Sequence, residues 1–392
     1  MSPSLIHRRR VHYLPGFDPR GARFYHQLYA REAALQSALN RLHPTVGPRL
    51  KLTPHFSSWS VHSSSPLGEV STDYQFMGWD DIVRHHWPSN TAPLLAQCLP
   101  MYSDYLRSGG IFKVRKISNT ALFTGLFPAG YLLLLALASS ALFWSAQASV
   151  GALANSPLAG GAAGFALCAS LGQAAFKHAN RIGIPWLLRT FGFIHRWSSG
   201  HVPELELRAH AIAEHILESH RRDPAQETLL IGHSVGCLLA VCVAARLLEL
   251  SAHPHSPPPP DPLASMHLLT LGHCIPLISL LPQAQSFRAQ LRSVGNQPRL
   301  SWTDISAKAD PLCFFRSSPL LPSDSLKPSL RTARFFRMFP PHTYRKMRRD
   351  KIRLHFQYLM ASQLPTPYDF FALTAGPNPL AAHFHEESSP NP

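Results

Sequence analysis

Residues 229–239 read Leu-Leu-Ile-Gly-His-Ser-Val-Gly-Cys-Leu-Leu and contain the pattern Gly-x-Ser-x-Gly. A strand-like apolar run precedes the pattern, and a helix-like apolar run follows it. In that context the pattern indicates a nucleophile elbow, a tight turn that exposes a serine between a strand and a helix. We therefore predict that Ser234 is a nucleophile, and that Gly232 and Gly236 let the strand and the helix crowd together around it.

A serine at the start of a helix is suited to attack on a carbonyl group. The N–H of Val235 and the helix dipole can stabilise the tetrahedral oxyanion that this attack forms. The alternative is a strand-to-helix turn of a nucleotide-binding fold, but the sequence lacks the glycine-rich phosphate fingerprints of such folds. The six cysteines and 23 histidines show no metal-ligand spacing, so we predict no metal and no other cofactor.

The elbow and its flanks resemble the α/β-hydrolase superfamily, in particular its lipase/esterase branch, whose elbow often reads Gly-His-Ser-x-Gly. The resemblance spans residues 9–47 and 200–362, approximately, and extends to uncharacterised bacterial membrane-associated members. It implies an α/β fold with a mostly parallel sheet and helices on both faces, here interrupted by an inserted transmembrane hairpin. In such enzymes a second oxyanion donor comes from the loop after an early strand. The matching segment is Leu-Pro-Gly-Phe at 14–17, which assigns the role to the N–H of Phe17 although Pro15 replaces the usual histidine.

The resemblance also implies that an acid and a histidine follow the serine in the chain. Asp310 lies just past the strand predicted at 300–306 and matches the acid loop, whereas Asp304 lies within that strand and Asp324 is a loop alternative. His355 opens a helix-like run, where family members often place the catalytic histidine. The other histidines after Asp310 that we considered are His342, His383 and His385.

The middle of the chain is strongly apolar. Residues 117–176 contain no Asp, Glu, Lys, Arg or His. Segments 121–144 and 157–176 are long enough to cross a bilayer core of about 30 Å, which predicts a membrane hairpin with a turn at 145–156. Gly160 and Gly164 have the spacing that lets two membrane helices approach closely. The alternative is a buried helical pair within a soluble lid.

The charge distribution favours a membrane over nucleic acid. The chain has 37 basic and 22 acidic residues, a net charge of +15, and shows no nucleic-acid-binding signature or signal peptide. Basic residues flank the hairpin on both sides, which predicts that both flanks are cytoplasmic and contact anionic lipid head groups. We therefore expect a multi-pass protein of a bacterial inner membrane. The flanking residues are Lys113, Arg115, Lys116, Lys177, Arg181 and Arg189.

Short apolar strands alternate with helices on either side of the hairpin, which indicates a parallel sheet covered by helices. The strand at 11–14 and the one at 228–231 are expected to share that sheet, while residues 71–108 are expected to carry two short helices. Residues 1–112 and 191–382 are predicted to form the two parts of the hydrolase domain. Residues 113–190 are predicted to form the membrane hairpin, and residues 383–392 a disordered tail.

These expectations together describe a membrane-anchored serine hydrolase. It would cleave an ester or thioester, with an acyl lipid as the favoured substrate class. The sequence leaves two alternatives open. One is an acyltransferase that uses the same residues, and the other is a non-catalytic membrane scaffold with a hydrolase fold. The oligomeric state is not determined by the sequence.

Overall fold

Strands and helices alternate in the computed structural model, which describes residues 4–251, 264–320 and 323–384. The strands are β1 (Arg8–Leu14), β2 (His43–Val46), β3 (Leu50–Lys51), β4 (Phe56–Ser65), β5 (Gly68–Met77), β6 (Glu227–His233), β7 (Met266–Leu271), β8 (Ser301–Ser306) and β9 (Ser329–Thr332). The helices are α1 (Ala22–Asn40), α2 (Asp80–His85), α3 (Thr91–Arg107), α4 (Gly110–Ile117), α5 (Asn119–Leu153), α6 (Pro157–Arg181), α7 (Ile184–Ser198), α8 (Glu204–Arg222), α9 (Gly236–Ser251), α10 (Pro276–Ser279), α11 (Gln285–Gly295), α12 (Pro341–Met347), α13 (Lys351–Phe356) and α14 (Phe370–Ala375).

The strands of the described residues form one mostly parallel sheet in the order β2-β4-β5-β1-β6-β7-β8-β9, with β3 paired to β4. The pairs from β5 through β9 are parallel, and β2, β3 and β4 form the antiparallel end. β1 pairs directly with β6, so the prediction that these two strands share a sheet is confirmed. Because parallel strands end on the same edge, the turns after β1, β6, β7 and β8 meet there.

Apolar side chains of the central strands alternate between two cores, one on each face of the sheet. In β6, Leu230 packs into a cluster with α7, α8, α9 and α11, whereas Leu229 and Ile231 pack into a second cluster with α1, α13 and α14. This alternation follows the two-residue period of a strand. The chain is thus a mixed α/β fold with helices on both sides of a parallel sheet.

α5 and α6 form a long antiparallel hairpin. At 1.5 Å per residue, their 35 and 25 residues extend for about 52 and 37 Å. Both helices are long and apolar enough to cross a membrane. In their most apolar 18-residue stretches, only 6% of the residues of α5 and 17% of those of α6 are buried. The predicted turn at 145–156 is wrong for most of its length: its Ala, Ser and Gln residues are compatible with a helix, and α5 continues to Leu153.

The two glycines singled out in the sequence lie where the hairpin helices touch. A Cβ built on Gly160 would lie 2.7 Å from the Gln147 carbonyl oxygen, and one on Gly164 would lie 2.7 Å from the Phe143 ring. Tyr131 also donates a hydrogen bond across the pair, to the carbonyl of Ala175. The close approach predicted for these small residues is therefore confirmed.

Two other expectations change in part with the structure. The two helices expected within 71–108 are present as α2 and α3, but residues 71–77 belong to strand β5, which pairs with β4. Phe384 is buried rather than part of a frayed tail, while 385–392 lies outside the described residues. In β1, Arg9 is buried and forms an ion pair with Glu227 at 2.6 Å.

Candidate functional site

The elbow predicted at Ser234 is present between β6 and α9. Ser234 has φ 58°, in the left-handed region that non-glycine residues rarely adopt. A Cβ on Gly232 would lie 2.7 Å from the Cα of Cys237, and a Cβ on Gly236 would collide with the carbonyls of Leu14 and Pro15. Both glycines are thus required by the close packing around the serine, as the pattern predicts.

The loop after β1 lies directly against this turn. A Cβ built on Gly16 would lie 3.1 Å from the Cβ of Ser234 and 3.6 Å from its Oγ. Trp79 Nε1 donates a hydrogen bond to the Pro15 carbonyl at 2.9 Å, and the Phe17 ring packs against Phe193 with centroids 4.6 Å apart. These contacts hold the backbone of the loop in place beside the nucleophile.

Two backbone amides near Ser234 remain available as donors. Among the described residues, neither the N–H of Phe17 nor that of Val235 donates a hydrogen bond. Backbone N–H groups without a partner are uncommon inside a protein. Their positions, one on the loop packed against the serine and one directly after it, are those that the sequence assigns to the oxyanion donors.

The structure brings the predicted acid and base together. His355, at the end of α13, contacts Asp310 through Nδ1 and Oδ2 at 2.8 Å, and both side chains are at most 1% exposed. Asp310 also accepts hydrogen bonds from the Tyr358 hydroxyl at 3.2 Å and the Leu312 N–H at 3.0 Å. Three hydrogen-bond donors to one buried carboxylate fix its orientation.

His355 is also adjacent to the elbow. The rings of His355 and His233, the residue before the nucleophile, have centroids 4.9 Å apart, and His233 Nε2 donates to the His355 carbonyl at 2.9 Å. With Nδ1 held by Asp310, the buried Nε2 of His355 makes no hydrogen bond within the described residues. Ser234 Oγ is therefore not hydrogen-bonded to that nitrogen in the structure, and the nitrogen keeps a lone pair that could accept a proton.

His233 itself is held neutral. Burial, together with the nearby His355, lowers the pKa of His233 to about 3. Because its partner is a carbonyl oxygen, Nε2 must carry the proton. The sequence analysis placed His233 facing into the fold, and the structure agrees, since the side chain is buried. A neutral neighbour adds no positive charge that would oppose protonation of His355.

The alternative acids and bases occupy other environments. Asp304 is buried in β8, accepts a hydrogen bond from Thr270 and has its pKa raised by burial. Asp324 is buried beside Gly295. His342 is exposed on α12, and His383 is half-buried near the end of the described chain. His385 lies outside the described residues.

A small cavity of about 30 Å³ opens at the serine, lined by Ser234, Val235 and side chains from α5, α7 and the acid loop. Trp186 lies in this wall, with its ring 6.1 Å from that of His355. Cys274 also lines it, and burial raises the pKa of this thiol, so that it stays protonated. Trp186, Cys274 and Tyr358 were missed by sequence reasoning because they belong to no motif and come from distant segments.

One group of side chains has the residue types of a metal site. Nitrogen and oxygen atoms of His85, His86 and Glu204 lie within 4.8 Å of one another. Within this group, His86 Nε2 contacts Glu204 Oε1 at 3.3 Å.

In comparisons with known proteins, no protein-family model, curated protein or solved structure matches this chain. Its function must therefore be inferred from the residues and geometry of the site.

Proposed function

We propose that the chain is a membrane-anchored serine hydrolase with an α/β-hydrolase fold, which cleaves the ester or thioester bond of an acyl lipid. The observation that carries this proposal is the buried His355–Asp310 pair, which lies against an elbow whose serine has a left-handed backbone. Strained backbone and a buried, oriented histidine–carboxylate pair are features that concentrate at catalytic sites. The two amides without partners at Phe17 and Val235 support the same chemistry.

In this mechanism His355 Nε2 takes the proton of Ser234 as Oγ attacks the carbonyl carbon of the substrate. The N–H groups of Phe17 and Val235 bind the oxyanion that forms. His355 then gives its proton to the departing alcohol or thiol, which leaves an acyl group on Ser234. Water, deprotonated by His355, attacks the acyl group, and the proton returns to Ser234 as the acid is released. Asp310 stabilises the imidazolium throughout.

The exposed apolar hairpin supports membrane anchoring. A helix in the core of a soluble protein would be mostly buried, whereas Leu134, Trp144 and Leu158 are 68%, 67% and 86% exposed. Exposed Lys113, Arg115 and Lys116 on α4 and exposed Lys177 and Arg181 on α6 lie at the open end of the hairpin, where anionic head groups would meet them. We place the hydrolase domain in the cytoplasm of a bacterium, with α5 and α6 crossing the inner membrane.

Labelling with a fluorophosphonate tests this proposal. Membranes that contain the full chain would be washed with sodium carbonate, labelled and digested, and the modified peptide would be identified by mass spectrometry. We expect one modified serine, Ser234, in protein that stays with the washed membrane, and no label on the Ser234→Ala variant. In that reaction Ser234 Oγ bonds to phosphorus and fluoride leaves.

Label that persists on Ser234→Ala would refute the assignment of the nucleophile. A wild-type chain that takes up no label would favour the scaffold alternative. Protein released by carbonate would refute the membrane anchor. A reporter fused after Thr190 should behave as cytoplasmic, since a periplasmic signal would mean that only one helix crosses. Acyl transfer to an added alcohol, in place of free acid release, would favour the acyltransferase.

A further inference from the structure

A second cavity, of about 50 Å³, adjoins the one at the serine. The two cavities share three lining residues, Ala121, Phe191 and Leu277. The outer cavity continues along the first turns of α5 to Gly125 and Leu126, and its other walls come from α3, α4 and α7. The two cavities are therefore neighbours, and we call them together the groove between Ser234 and the base of the apolar hairpin.

The walls of the outer cavity offer nothing polar to an occupant. Its two hydroxyl groups are engaged, because Tyr102 donates to the Gly125 carbonyl and Tyr105 donates to the Leu277 carbonyl. At the inner cavity, Thr124 likewise donates to the Pro311 carbonyl at 2.8 Å. With these groups paired internally, the outer groove favours hydrocarbon over a polar ligand.

The position of the groove indicates where that hydrocarbon comes from. α4 contributes Ile111 and Val114 to the groove, while its Phe112 is 67% exposed. Its exposed basic residues sit among these apolar ones, the composition of a helix that lies at a membrane interface. The outer end of the groove thus lies at the depth where acyl chains begin.

From these contacts we infer that the groove holds the acyl chain of the substrate, which reaches Ser234 from the bilayer along the first turns of α5. This inference rests on the proposed function and adds a substrate class, long-chain acyl lipids, and residues that determine chain-length specificity, Ala121 and Gly125. The free volume of the groove is small, so the side chains that line it must move apart as the acyl chain of the substrate enters.

Two fluorophosphonates, one ethyl and one dodecyl, test the inference on the full chain in detergent micelles. The measured quantity is the ratio of the dodecyl to the ethyl labelling rate constant at Ser234. Gly125→Leu fills the outer groove, and the glycine has no heavy atom within 4 Å of a built Cβ, so the variant is compatible with the fold. Ala121→Leu narrows the junction of the two cavities. The matched control is Gly130→Leu, on the same helix, equally open and outside the groove.

We expect each groove variant to lower the ratio about tenfold, the loss that follows when roughly two methylenes are no longer buried. Ser234 should still be labelled by the ethyl probe in each groove variant, which reports that the site is folded, and Gly130→Leu, outside the groove, should leave both rates unchanged. If the ratio stays at the wild-type value in both groove variants while Ser234 is still labelled, the inference is wrong and the proposed function stands. If neither probe labels Ser234 in the wild type, the proposed function fails and the inference with it.

Discussion

At the carboxyl edge of the sheet polar side chains are buried, whereas along α5 and α6 apolar side chains are exposed. His355 and Asp310 are at most 1% exposed, yet Leu134 and Leu158 are 68% and 86% exposed. A buried carboxylate requires hydrogen-bond donors, and Asp310 has three. Large exposed apolar surfaces mark contacts with partners or membranes. The first region is therefore organised by internal contacts, and in the proposed function the second is organised by the membrane around it.

The two regions meet at the acid loop. Thr124, in the second turn of α5, donates a hydrogen bond to the carbonyl of Pro311, the residue after Asp310. Trp186, at the start of α7, lines the cavity of the nucleophile and packs near His355. The base of the hairpin thus forms part of the wall of the site.

The largest expected effect follows from breaking the buried pair. Asp310→Asn keeps the shape of the side chain but removes the charge that orients His355 and stabilises its protonated form. We expect ester hydrolysis to fall about 10⁴-fold, the loss known for this change in serine hydrolases. The measurement is the turnover of a short p-nitrophenyl ester by the purified chain, with thermal unfolding recorded in parallel.

The matched control is Asp304→Asn, which changes another buried aspartate at the same edge of the sheet. Asp304 contacts Thr270 and lies 3.8 Å from His273. An asparagine side chain at this position should therefore change stability more than activity. We expect turnover within a few-fold of the wild type. Equal losses for the two variants would show that the acid has been assigned to the wrong residue.

The elbow and the sheet could be predicted because their signals are local. The turn at Ser234 requires glycines at fixed offsets, and alternation between strands and helices indicates a parallel sheet. The pairing of Asp310 with His355 was implied by the family resemblance, which places an acid and then a histidine after the serine. The roles of Trp186 and Tyr358 could not be predicted, because each reaches the site through contacts between segments far apart in the sequence.

Hydropathy indicated where the hairpin is but not how far its helices extend. α5 continues through residues 145–153, since Ala, Ser and Gln are as compatible with a helix as with a turn. Strand β5 was missed for a related reason. Its exposed face carries Ser71 and Glu69, and the alternation with buried residues becomes evident only once β4 is seen to pair with it.

A glycine pair on α6 tests whether the hairpin is a packed unit. Gly164→Ala places a methyl group against the Phe143 ring, and we expect a loss of stability of about 1–3 kcal/mol. Gly172→Ala has no heavy atom within 4 Å of the new methyl group, and we expect a gain of up to about 1 kcal/mol from helix propensity. Thermal unfolding in detergent measures both. Shifts of the same sign would contradict close packing at Gly164.

The smallest expected effect concerns His233, which lies beside His355 but takes no proton in the proposed mechanism. Burial lowers its pKa to about 3 in the folded chain, against about 6.5 when unfolded. Between these values the unfolded state binds more protons, so stability falls as the pH falls, by about 1 kcal/mol from pH 6.5 to 5.5. His233→Gln keeps an N–H donor for the His355 carbonyl but cannot titrate, so its stability should decline less over this interval. Thermal unfolding in detergent at pH 7.5, 6.5 and 5.5 measures the difference, and His342→Gln, at an exposed position, should keep the wild-type slope. If stability falls with pH equally in the wild type and in His233→Gln, His233 binds its proton as readily in the folded chain as in the unfolded chain. His355 would then have a positively charged neighbour.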